Sequence, residues 1–186
     1  MGDERMLLRA FPTALRDDVT AVARVMPRPG HPAAKRRERV LVQSETIEIP
    51  YRIYNPEPPG DAVEGMSDRR KLIVGCVYSR HHDGYVRERH SVHIVESAEP
   101  WVVPFVVQLL GEYVVEICAR ILSRLEARSS FASLGYQEFV QANGEFIAIT
   151  EQRAVSYWSC YYRDRYARRE YPAIAALDRL REDGAP

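Results

Sequence analysis

The sequence predicts a mainly α fold, with helices bundled or stacked around a central helix at about residues 99–128 and a small N-terminal β-hairpin at about 40–54. Three observations predict it. Glu99 to Arg128 is the most apolar stretch and the longest with helical spacing. Val106, Val107, Leu110, Tyr113, Val114, Ile117, Cys118, Ile121, Leu122 and Leu125 cover roughly two-thirds of its circumference, the pattern of an enclosed helix. Residues 40–54, VLVQSETIEIPYRIY, are instead β-branched and alternate across Thr46–Ile49. From residue 67 onward the pairs Ser67-Asp68, Asp83-Gly84, Glu99-Pro100, Asn143-Gly144 and Tyr171-Pro172 cut the chain into helix-length pieces.

A chain of 186 residues with 46% hydrophobic content suits one globular domain. We read 1–39 as a helical and basic segment ending in a Pro-rich linker, 40–66 as hairpin and loop, and 67–182 as the helical core. Acids and bases balance at 26 each, which confines any attraction to nucleic acid or anionic membrane to a local patch. Cys76, Cys118 and Cys160 are odd in number and widely spaced, against a disulfide framework or a CxxC zinc site; buried free thiols are expected. The N-terminus carries acids and lacks the apolar run of a signal peptide. The near-continuous apolar run Trp101–Leu110 is ten residues, against about 20 for a membrane span. A soluble, cytoplasmic protein with no membrane partner is expected.

Taken in order, residues 4–26 have helical spacing interrupted by Pro12, so two short helices or one broken helix should form. Residues 26–32, MPRPGHP, end it, and the basic run Lys35-Arg36-Arg37-Glu38-Arg39 reads as a solvated segment or part of an anion-binding patch. The hairpin should turn near Gln43–Glu45, with Pro50 marking an edge strand, and residues 55–66 should be loop. Ser67-Asp68 is an N-cap for a helix over 69–80, although a buried strand at 72–78 fits the same short β-branched run. Gly84 is the expected left-handed stop of that helix, and Asp83 the cap of the next, 85–96. Pro100 suits the first turn of the central helix. Further helices are expected from Ser129-Ser130 to about 141, from Asn143-Gly144 to about 170, and from Tyr171-Pro172 to about 181.

Asp83, Val86, Arg87 and Ile94 form a D-x-x-V-R-(x6)-I spacing, with Pro100 opening the next helix pair. On these residues the segment 67–128, about a third of the chain, resembles a HEAT-type helical repeat, with His90 standing where a small residue is usual. The resemblance implies a helical scaffold that binds partners and carries over no catalytic residue.

Three places can carry chemistry. Four of the five histidines, His81, His82, His90 and His93, fall within thirteen residues. His90 and His93, at i and i+3, can share a face, and with His81 or His82, Asp83 and a carboxylate from Glu112 or Glu116 they could bind a divalent metal such as zinc. No HExxH or ExxH motif supports that, and a polar interhelical turn explains the same residues. Second, Gln108, Glu112 and Glu116 are four apart and should line one helix face. Either Arg80, Arg87 or Arg89 pairs with them to set helix register, or the line is the solvent-facing side. Third, Tyr157, Trp158 and Tyr161 are interleaved with Arg165, Arg168 and Arg169, a composition that can stack bases and neutralise phosphates or pack into a core.

No GxSxG elbow, Walker motif or GxGxxG is present. That leaves out only the commonly recognised enzymes; the expectation is a non-enzymatic helical interaction or regulatory module with no cofactor, acting on a protein partner or as a homo-oligomer through Arg80, His81, His82, Asp83, Arg87, Glu112 and Glu116. The alternatives are a metal-dependent enzyme built on His81–His93 with Glu112 or Glu116, and nucleic-acid binding through 153–169.

Overall fold

The structure is a computed structural model that describes residues 2–127 and 135–182. It is mainly α with one two-stranded antiparallel hairpin near the N-terminus. The chain divides into two compact units, Met1–Ser97 and Ala98–Pro186. Among the described residues no helix is long and apolar enough to cross a membrane.

In the first unit α1 (Gly2–Arg9) and α2 (Arg16–Val25) are separated by Pro12 and a single 3-10 turn at Thr13–Leu15. Strands β1 (Arg37–Val42) and β2 (Glu45–Pro50) pair in register Arg37 to Pro50 and Val42 to Glu45. The basic run leads into the strand, with Lys35, Arg36 and Arg39 exposed and Glu38 buried. Gln43 and Ser44 turn the hairpin at φ 49° and 67°, the left-handed pair that a two-residue loop demands to match strand twist. Val40, Val42, Ile47 and Ile49 are buried on the inner face, and β2 packs against α1. The loop after Asn55 contains a short helix, α3 (Gly60–Glu64).

Helix α4 (Asp68–Tyr78) resolves the helix-or-strand ambiguity in favour of helix. The Ser67 hydroxyl accepts from the Arg70 amide, and everything from Ile73 to Tyr78 is buried, as a helix inside a unit requires. Gly84 does not end α4 with a left-handed residue; it begins α5 (Gly84–Val95), where the Asp83 carboxylate accepts from the Tyr85 amide at 2.8 Å. α4 stops instead because Ile53 captures the connection: Ile53 N–H donates to Arg80 O and His82 N–H to Ile53 O.

In the second unit the expected 99–128 helix is broken. A 3-10 turn at Pro100–Val102 leads into α6 (Val103–Leu109), and α7 (Val115–Glu126) starts only after residues 110–114. At the break Gly111 packs against α9 (Gly144–Tyr157), where a Cβ would lie 3.4 Å, an ordinary contact distance, from both Thr150 and Arg153. α7 is amphipathic, burying Val115, Ile117, Cys118, Ile121 and Leu125. Only α8 (Tyr136–Ala142) of the helix expected from Ser129-Ser130 is described; that start lies outside the described residues. The helix expected from Gly144 to about 170 ends at Tyr157, passing into a wide i to i+5 turn at Trp158–Tyr162. α10 (Pro172–Glu182) packs on α7, α8 and α9, and the wholly buried α6 touches the same three helices.

Candidate functional site

The first unit gathers five of the residues singled out in the sequence into the α4–α5 connection. Arg87 is fully buried, and its Nη1 donates to the carbonyls of His81 (2.8 Å) and His82 (2.9 Å). Arg80, equally buried, donates from Nη2 to Tyr51 O at 3.3 Å. His81 accepts from the Asp83 amide through Nδ1 at 3.1 Å, which requires that nitrogen to be unprotonated. Burial, then the neighbouring His82, holds the His81 pKa below the ordinary histidine value. His82 and Asp83 are exposed.

From this connection a column of rings runs toward α5. Tyr54 stacks on His82 at 5.0 Å, His82 lies 4.3 Å from His81, and Tyr78 sits 6.1 Å from His81 and 5.1 Å from His90. The Tyr78 hydroxyl donates to Pro56 O at 2.7 Å, and Asn55 Nδ2 to Pro27 O at 3.0 Å, anchoring the 55–57 loop. That loop supplies Glu57. Its Oε1 is 2.8 Å from His90 Nε2, and its Oε2 pairs with Arg89. Burial disfavours the Glu57 carboxylate, but His90 and Arg89 outweigh it and its pKa falls below the usual value. Burial likewise lowers the His90 pKa, although Glu57 opposes the shift. The pair is therefore a carboxylate accepting from a neutral imidazole.

Beside this pair lies a cleft of about 490 Å³ lined by Glu57, Val63, Asp68, Lys71, Leu72, Val74, Arg89, His90 and His93. Its walls come from α4, α5, the 55–57 loop and α3. His90 and His93 share it, as their spacing implied. Glu57 and Lys71 were missed: Glu57 sits in a Pro-rich loop with no local signature, and Lys71 on the polar shoulder of a buried helix. The one available signal was that Lys71 is one of only two lysines among 26 basic residues. Among the described residues Lys71 makes no ion pair, whereas Arg89 is paired to Glu57. No three His, Cys, Asp or Glu side chains among the described residues converge as a metal-ligand set.

Arg37 of the basic run joins Arg5, Met6, Arg9 and Glu48 around a second groove of about 370 Å³. Of its three arginines, Arg9 pairs with Glu48 at 3.3 Å and Arg37 Nη1 donates to the Ala34 and Arg36 carbonyls.

Gln108, Glu112 and Glu116 belong to the second unit and do not share a helix face. Gln108 is in the last turn of α6, Glu112 is in the 110–114 turn and Glu116 is in the first turn of α7. Gln108 and Glu112 are each 1% exposed, so neither is on a solvent-facing side; Glu116 is exposed. The Gln108 amide atoms have no hydrogen-bond partner among the described residues.

The aromatic segment is far more open than a core reading requires. Tyr161 is 71% exposed and Tyr113 44%, while Tyr157 and Trp158 are half-buried. Arg163, Arg165, Arg168 and Arg169 are all exposed. Of the three free cysteines, Cys76 and Cys118 are buried, with thiol pKa values raised by that burial, but Cys160 is exposed, contrary to expectation. No family model, curated protein or solved structure matches the chain.

Proposed function

We propose that the chain is a non-enzymatic, cytoplasmic regulatory module whose first unit binds a small organic anion with an apolar body in the Glu57–His93 cleft, and that the helical scaffold presents this state to a protein partner or a second copy. The observation that carries the reading is Lys71, a cation lining a mostly apolar cleft without an ion pair among the described residues. Leu72, Val63 and Val74 offer the apolar contact, and Lys71 with His93 the polar end that fixes orientation. The HEAT-type resemblance of 67–128 supports the scaffold part of the reading.

The test is calorimetric titration and thermal shift with a panel of short aliphatic and aromatic carboxylates. A ligand at a hundredfold its Kd should stabilise the protein by about 2.7 kcal/mol. Lys71→Met should abolish the shift while leaving the melting temperature of the ligand-free protein unchanged. A panel in which nothing binds, or in which Lys71→Met binds equally well, removes the reading.

A second reading has one observation in its favour: His90, oriented by Glu57 and held neutral, is placed as a general base at the cleft. Turnover of any bound carboxylate that disappears in His90→Gln would favour it. Stoichiometric zinc, iron or manganese in protein purified without a His tag, lost on His90→Ala, would favour the metal-dependent form.

A further inference from the structure

The wide turn after α9 has no role in the cleft, and it creates a surface of its own. An i to i+5 turn inserts one extra residue per turn and rotates the following side chains relative to a continuous helix. Here it is held from both ends. Trp158 Nε1 donates to Tyr166 O at 2.9 Å, and the Tyr162 hydroxyl donates to Tyr113 O at 2.7 Å. Those two rings are thereby committed to the turn. Tyr162 also stacks on the buried Tyr171, with ring centroids 5.2 Å apart.

What remains is turned outward. Tyr161 stacks on Tyr157 at 6.3 Å with planes 27° apart, and Tyr157 lies 6.1 Å from Tyr113. Three rings thus follow one another at about 6 Å intervals, the outermost 71% exposed. Beyond them Arg163, Arg165, Arg168 and Arg169 face solvent together with Asp164 and Glu170, an excess of two positive charges. Arg165 lies over the Tyr166 ring at 5.2 Å; among the described residues none of the four arginines makes an ion pair. Elsewhere Arg9, Arg70, Arg89 and Arg181 have a carboxylate partner while Arg16, Arg24 and Arg28 have none among the described residues, so what marks this segment is four such arginines beside exposed rings. A surface that keeps guanidinium groups uncompensated beside exposed rings is matched to a polyanion that also carries flat apolar faces.

We propose that this surface binds single-stranded nucleic acid, with bases stacking on Tyr157 and Tyr161 while Arg163, Arg165, Arg168 and Arg169 neutralise phosphates. Stacking on an aromatic side chain is sequence-tolerant because every base has a π-face, and the arginines track the backbone. A single strand fits better than a duplex, whose bases are already stacked and whose edges these rings cannot read. An acidic peptide would satisfy the charge but leave the rings without a use.

The experiment is fluorescence anisotropy of the full chain with a labelled oligothymidylate of about 12 nucleotides. Binding should occur at low salt, and four phosphate contacts should give a log–log salt slope of about −3. Tyr161→Ala removes only an exposed ring, so the protein should stay folded and affinity should fall about tenfold. Arg165→Glu with Arg168→Glu should abolish binding and flatten the slope. An abasic oligonucleotide of equal charge and poly-glutamate should both compete poorly. Because Cys76 and Cys118 are buried, alkylation of the native protein reports Cys160, and the oligonucleotide should slow it. No binding at low salt overturns the proposal, as does unchanged affinity in Tyr161→Ala or unprotected Cys160. Poly-glutamate competing as well as the oligonucleotide also overturns it and turns the surface into a protein-docking site.

Discussion

Glu57 Oε1 and His90 Nε2 are 2.8 Å apart, although the two residues are 33 positions apart in sequence. This contact closes a loop with no regular structure at its start onto a helix with a defined cap, and it places one wall of the cleft. It is one of three anchors on that loop, beside the Tyr78 hydroxyl on Pro56 O and Asn55 Nδ2 on Pro27 O. Because the His90 ring stacks on Tyr78, the His90 and Tyr78 anchors support each other.

Removing Glu57 should therefore loosen more than one contact. Glu57→Ala leaves the half-buried His90 donor and Arg89 without their shared acceptor, and a loss of about 1 kcal/mol is expected for so accessible a pair. Amide hydrogen exchange should rise across 55–60 before it rises in α4. If exchange there is unchanged, the loop is held by Tyr78 and Asn55 without Glu57.

Acid should weaken the first unit in two stages. The folded pKa of His90 is depressed by burial, so the unfolded chain binds the proton more readily. Its contribution is present above the unfolded value of about 6.5 and is lost as pH falls through the lower folded value. His81 acts in the same direction. Glu57, also depressed, contributes above its unfolded value and is lost at more acidic pH still. The groups facing His90 are Glu57, Arg89 and His93, and those facing His81 are His82, Asp83 and Glu57. Melting temperature should climb between about pH 5 and about pH 7, and His90→Phe should flatten the climb. An identical profile in that variant would assign the titration elsewhere.

Local chemistry was legible in the sequence and distant chemistry was not. Asp83 caps α5 and Ser67 caps α4 because a side chain two or three residues away satisfies an amide, a rule that needs no knowledge of the fold. The break at 110–114 is not legible in an apolar run of helical spacing, which carries no sign that Gly111 meets α9 in the folded unit. Once the helix breaks, the i, i+4 reading of Gln108, Glu112 and Glu116 fails with it. In the cleft, His90 and His93 were visible as a spaced pair. Glu57 and Lys71 were not, since only tertiary packing brings a loop and a second helix to them. By composition the ring-rich segment suits core packing first, and composition carries no sign of the wide turn at 158–162 in which Tyr161 is exposed.

Arg87 is the strongest single tie in the α4–α5 connection. One buried nitrogen bonds two consecutive carbonyls, and charge-assisted bonds of this kind contribute about 1.5–3 kcal/mol each. Arg87→Met keeps the apolar stem and should cost about 3 kcal/mol in urea denaturation. Arg87→Lys should recover little, because a compact ammonium does not reproduce the planar fork. Full stability in either variant would show that the turn is held by the Ile53 bridge instead.

Two substitutions in the second unit should raise stability. The Gln108 amide is 1% exposed, the Tyr171 hydroxyl belongs to a fully buried side chain, and neither has a hydrogen-bond partner among the described residues. Burial drives the Tyr171 pKa strongly upward, in keeping with a hydroxyl that stays neutral. Gln108→Leu and Tyr171→Phe each remove an uncompensated desolvation cost of about 1–3 kcal/mol. Both variants should melt higher than the parent, and a lower melting temperature in either would reveal a partner for that group.

Gly75 sets how closely α4 and α5 approach. A Cβ there would lie 2.8 Å from Ile94 Cγ2 and 3.5 Å from His90 O. Ile94 is fully buried and cannot swing into solvent, so the clash must be absorbed by the helix pair. Alanine is the better helix former by about 0.5–1 kcal/mol, but overpacking costs about 1–3 kcal/mol, so Gly75→Ala should be destabilising on balance. The shape of the neighbour supplies the control. Leucine has nearly the volume of isoleucine but no Cγ2 branch at Cβ, so Ile94→Leu removes the atom that is struck. The double variant Gly75→Ala with Ile94→Leu should be more stable than the sum of the two single changes allows, by about 1 kcal/mol in a double-mutant cycle. Additive costs would mean that the close approach at Gly75 is relieved by helix movement rather than by the Ile94 side chain. In that case Gly75→Ala alone should also shift His90 relative to Glu57 and reproduce the loop exchange of Glu57→Ala.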